Sequence, residues 1–175
     1  MMKRILLICA ALLLALSLLT GAAAETVLLA TLADGSQVTL ETDIAVKLTN
    51  LANDDGVIAV YAEKEDLAPV RISIAADDLV DGLSMAELSE EEMAELIAMA
   101  GDQFTSPSTQ LATTPSGNQY LCVYEEGQPV WSVFTLYHGY YIELVQANTD
   151  LDELTQEDSD FCLSLLYGIW INAAE

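Results

Sequence analysis

The spacing of apolar and polar residues changes several times along the chain, and each change marks an element. In "TVLLATLADGSQVTLE", Thr26 to Glu41, Asp34-Gly35 sits between two apolar runs and predicts a hairpin, because Asp-Gly tolerates the left-handed backbone of a tight turn. "VIAVYAE" from Val57 and "PVRISIA" from Pro69 predict two further strands, with Pro69 at a strand start, where a missing N–H is harmless. The period then becomes helical. Met93, Leu96, Ile97 and Ala100 share one face of "LSEEEMAELIAMAG", with Ser89 and Glu92 placed for a capping box and Gly101 for the stop. Ser84 with Glu87 offers a competing helix start one turn earlier.

Strand character returns in "STQLATT", "NQYLCVYEE", "PVWSVFTLY" and "YYIELVQA", divided by the turn residues "PSGN", "EGQ" and "HG", the rhythm of an antiparallel meander. In the third run both alternating sets are largely apolar: Val130, Phe134 and Leu136 on one side, Trp131, Val133 and Tyr137 on the other. Such a strand is covered on both faces, and the two helices are the natural covers. The second helix follows from Thr155 as cap with Asp158 in the reciprocal position, and from Phe161, Cys162, Leu165, Leu166 and Ile169 at helical spacing toward Trp170. The expected fold is α+β, an antiparallel sheet of about six to eight strands with helices packed on it, forming a single domain over residues 25–175.

This order of a hairpin, two strands, a capped helix, a meander around "TTPSGNQYLCVYEEGQPVWSVFTLYHGYYIELV" and a closing amphipathic helix resembles the PsbP-like α/β/α sandwich of small secreted bacterial proteins. The resemblance rests on element order and implies an accessory or protein-binding subunit rather than an enzyme. It carries over no site residues, because no defining motif is present to match.

Ahead of the first strand, Lys3 and Arg4 precede the apolar run Ile5 to Leu19, and Ala22 to Ala24 offer small residues to a peptidase. The pattern predicts a signal peptide cut after Ala24 and a secreted or extracytoplasmic protein. The run is interrupted by Thr20 and Gly21 before the roughly 20 apolar residues of a membrane span. Cys9 lies within it, without the small residue before it that a lipid-modified cysteine would have. Cleavage would leave Lys47, Lys64 and Arg71 against 28 acidic side chains. That imbalance disfavours nucleic acid and anionic membranes and leaves a basic or cell-surface protein as the expected partner.

Candidate chemistry is sparse. The single histidine, His138, stands before Gly139 at a predicted turn, and one His with two distant Cys gives no zinc set. Hence no catalytic residues, metal ligands or cofactor are expected. The stretch "ANTDLDELTQEDSDFC", Ala147 to Cys162, sets Asn148, Asp150 and Asp152 at calcium-loop spacing. The turn glycine falls on Glu153, however, and the bidentate glutamate on Ser159, so a helix start explains the stretch better. Weak binding of calcium or another divalent cation is the alternative function, and a small carboxylate-dependent hydrolase a second. The candidate binding residues are Tyr120, Tyr124, Trp131, Tyr137, Tyr140 and Tyr141, aromatic residues that could line a recognition surface, although strand aromatics more often pack under a helix or pair across strands. Cys122 and Cys162 could close a disulfide worth about 4 kcal/mol, or remain buried thiols.

Overall fold

A computed structural model describes residues 25–42, 46–50, 57–76, 80, 82–101, 104–125, 130–147 and 154–174. Ten strands and two helices follow in the order β1 (Glu25–Thr31), β2 (Gln37–Thr42), β3 (Lys47–Asn50), β4 (Ile58–Glu63), β5 (Val70–Ala76), a 3-10 turn (Met85–Glu87), α1 (Glu90–Gly101), β6 (Ser108–Thr113), β7 (Gln119–Tyr124), β8 (Val130–Tyr137), β9 (Tyr140–Ala147), α2 (Gln156–Gly168) and β10 (Ile169–Asn172). The fold is α+β, with a seven-stranded antiparallel sheet, β3-β4-β5-β9-β8-β7-β6, and a smaller one, β1-β2-β10. No helix among the described residues is long and apolar enough to cross a membrane.

The large sheet is covered on both faces, as its doubly apolar strands require. On one face Ile72, Tyr120, Cys122, Val133, Ile142 and Leu144 meet Phe161, Cys162, Leu165 and Leu166 of α2 together with Val38 and Leu40 of the small sheet. On the other, Leu121, Val123 and Phe134 meet Met85 and the half-buried Met93, Leu96 and Ile97 of α1. Strand alternation sorts neighbours such as Leu121 and Cys122 between these two cores.

Both predicted capping boxes are present. Ser89 and Glu92 exchange bonds at the start of α1, with the Ser89 N–H donating to Glu92 Oε2 at 2.8 Å. The Ser84–Glu87 alternative closes a separate 3-10 turn, with the Glu87 N–H donating to Ser84 O at 2.9 Å. Thr155 and Asp158 form the second box. The β1–β2 hairpin turns at Gly35, with φ +88°, and β8–β9 at His138 and Gly139, both with positive φ, a turn whose twist suits adjoining strands.

The structure departs from the sequence expectations in three ways. The N-terminal hairpin does not join the main sheet but forms the small one with β10. Strands β3 and β10 were not expected. And the last helix stops at Gly168 instead of running on toward Trp170, with Ile169 pairing Leu40 and Trp170 pairing Thr39. The cause is contact: a Cβ at Gly168 would strike the Glu41 carbonyl oxygen, so the helix end and β2 approach as only glycine permits, and the chain leaves Gly168 as a strand.

Candidate binding surface

Six aromatic side chains were the sequence candidates, and the fold disperses them. Tyr120 is fully buried, its hydroxyl finding no partner among the described residues and its acidity pushed down by burial. It is therefore a core residue and leaves the candidate set. Tyr141 faces the opposite side of the sheet, 4.9 Å from the Phe134 ring, with its hydroxyl donating to Glu143 Oε1. Trp131 and Tyr140 are half-buried, Trp131 donating to Gln146 Oε1 at 3.2 Å and the Tyr140 hydroxyl accepting the Ala33 N–H at 2.8 Å. Tyr137 packs edge-on to His138, and Tyr124 is exposed. Stitching sheet to helix and hairpin to hairpin explains Trp131, Tyr140 and Tyr141. The set does not form one surface.

Cys122 and Cys162 are buried free thiols rather than a disulfide. Burial pushes Cys122 up to about 11. Burial likewise pushes Cys162 up to about 12, moderated by the Trp131 indole and reinforced by neighbouring Cys122, so the two share one region of the core. Thiols held protonated in this way are poor nucleophiles.

Beside them lies a polar tie. The Asp158 carboxylate accepts the Ala68 N–H at 2.7 Å, while the Gln146 amide donates to Ala68 O at 3.1 Å. One loop residue between β4 and β5 is thus fixed by α2 and β9. Burial works to raise Asp158, and bonds from the Thr155 hydroxyl, the Ala68 N–H and the Thr155 N–H outweigh it, holding the carboxyl below its usual value.

Above this tie the β4–β5 turn faces the first turns of α2 across an open groove of about 440 Å³. Glu65, Asp66, Glu157 and Asp160 supply four carboxylates, Leu67 and Phe161 the apolar floor, and Lys64 lies 5.9 Å from the Phe161 ring. The turn that brings Asp66 to the groove holds it at φ +64°, a conformation aspartate tolerates better than most residues. The sequence contains both acidic segments, "EKED" at Glu63 and "QEDSD" at Gln156, but no local signal says that they meet.

A second cleft, about 210 Å³, opens beside His138 and Ser84. Ser84 Oγ accepts the His138 N–H at 3.1 Å and lies 3.5 Å from His138 Nδ1, while the Gly139 N–H donates to Leu83 O. These bonds dock the β8–β9 turn onto residues 83–84. The serine acts on the main chain as an anchor, and its contact with the ring lies at the long end of hydrogen-bond range.

Among the described residues, the carboxyl groups whose acidity the structure clearly alters are lowered: Asp34 by the Ser36 N–H, Glu63 by Lys47, Glu92 by the Ser89 hydroxyl, and Asp158 as above. Residues 148–153, the first half of the calcium-loop frame, lie outside the described residues, and among those described no group of three or more His, Cys, Asp or Glu is arranged to hold a metal ion. No family model matches the chain, and no curated protein or solved structure shows significant similarity to it.

Proposed function

We propose that the protein is a secreted, non-enzymatic binding or accessory domain whose acidic surface engages a basic or cell-surface protein. The observation that carries this is the groove between the β4–β5 turn and α2, where four carboxylates surround an apolar floor with one lysine among them. A basic side chain with an apolar stem fits such a groove, burying methylenes on Phe161 and Leu67 while its charge faces Asp66 and Asp160. The chain-wide excess of 28 acidic over five basic residues would steer such a partner from a distance. Kinship with PsbP-like domains is part of the same proposal, supported by an antiparallel sheet covered on both faces.

The test uses a lysine- and arginine-rich peptide as probe. Its affinity is expected to fall when salt rises from about 50 mM to about 500 mM. Asp66→Asn with Asp160→Asn is expected to weaken it about fivefold, while the equally conservative Glu91→Gln with Glu95→Gln on α1 leaves it unchanged. Equal losses from both pairs would reduce the effect to overall charge and remove the groove from the reading.

A further inference from the structure

The seven-stranded sheet has two edges, and they differ. Strand β3 is four residues long and carries Lys47, paired with Glu63 at 2.8 Å. Strand β6, "STQLAT", is six residues long, pairs with β7 in unbroken register and has no neighbour on its other side among the described strands. The small sheet also protects its edges. Strand β1 carries Glu25 and a register shift between Leu28 and Ala30, and β10 has four residues. Short strands, bulges and charges are the devices by which proteins prevent one edge from pairing with another. Among these four edges β6 alone has none of them.

Its neutrality is unusual in this chain. No charged residue lies between Asp102 and Glu125, in a protein with 28 acidic side chains. Every β6 residue except Ala112 is exposed, and Leu111 keeps 48% of its surface accessible. Two copies of so acidic a molecule repel one another, and that repulsion is weakest where their closest approach brings uncharged strands together. A basic partner, by contrast, gains nothing from a neutral edge and is drawn to the acidic groove on the far side of α2.

From these observations we infer that β6 is a self-association edge, where a second copy adds its own β6 antiparallel to join two seven-stranded sheets across a twofold axis. The bonds are main-chain N–H to C=O, with residues 109–113 of one strand opposite 113–109 of the other and the two Leu111 side chains, paired at the twofold axis, shielding them. Strand addition of this kind draws affinity from the backbone.

Sedimentation equilibrium of the protein from Glu25 onward tests the inference, over a concentration series at low and high salt. A reversible monomer–dimer equilibrium is expected, and because like charges oppose it, raising salt from about 50 mM to about 500 mM should lower the dissociation constant several-fold. Leu111→Lys, and Gln110→Lys on the opposite face of the same strand, should each raise that constant about tenfold or more, by placing like charges across the twofold axis. Leu28→Lys on exposed β1 should not change it. Thermal melts of each variant confirm that it folds, and two lysine sites keep the test alive if one does not. A protein monomeric up to about 1 mM overturns the inference. So does a dimer that weakens with salt, or one indifferent to both lysines.

Discussion

Asp158 illustrates how much one side chain can carry when its oxygens are fully used. Its carboxylate receives the Thr155 hydroxyl at 2.6 Å, the Thr155 N–H at 2.9 Å and the Ala68 N–H at 2.7 Å, at only 2% exposure. Replacing it with Asn leaves one acceptor oxygen for either Thr155 or Ala68 and turns an amide toward the other donor, so Asp158→Asn should cost about 2 kcal/mol, from a lost cap or from a buried N–H left unpaired. The pH dependence has a definite sign. A carboxyl lowered in the folded state contributes stability that is present above its unfolded value and lost as pH falls through the folded one. Wild type should therefore lose stability below about pH 4 more steeply than Asp158→Asn, whose profile is flatter there. Melts across this range check both statements. Glu92 makes the corresponding capping box on exposed α1, and Glu92→Gln serves as the mild comparison.

At the scale of elements, what could be read from the sequence was what neighbouring residues decide. Both capping boxes and the His138-Gly139 turn depend on residues within a few positions of each other, and they stand where their letters place them. Strand β10 depends on Glu41, far away in sequence. Helical spacing continues through Ile169, and only the approach of β2 to Gly168 converts "IWIN" from helix into strand. The same limit applies to function. Six aromatic residues can be counted in the sequence, but their separation between two faces and a sealed core follows from pairing register, and the groove joins two acidic segments that nothing local connects. Gly168→Ala should be severe, about 3 kcal/mol or more, since the obstruction is backbone and cannot rotate away. Gly117→Ala is the informative contrast. Its φ is +87° and nothing lies within 4 Å, so only backbone strain opposes the methyl, about 1 kcal/mol. Denaturant titrations of the two variants should separate close approach from conformational strain.

For the molecule as a whole, charge sets the terms on which everything else operates. Among the described residues one salt bridge is formed, Lys47 to Glu63, with side chains 74% and 47% exposed. A pair so well solvated contributes little. Against it stand 28 acidic side chains and a net charge of −23, spread over a surface with few cations to offset them. Self-repulsion of this kind destabilises the compact state more than the expanded one, because folding brings the charges together. Salt that screens the repulsion should therefore stabilise, opposite to its effect on a protein held by surface ion pairs. Raising NaCl from about 20 mM to about 500 mM at pH 7 is expected to lift the melting temperature by a few degrees. The Leu111→Lys variant makes the measurement unambiguous. Self-association through β6 would also raise the melting temperature with salt, through mass action. A variant that cannot pair through that edge retains only the intramolecular part. If its melting temperature still rises, screening within one molecule is responsible. If it falls, attractive pairs outweigh the acidic excess, and the electrostatic basis for steering a basic partner falls with it.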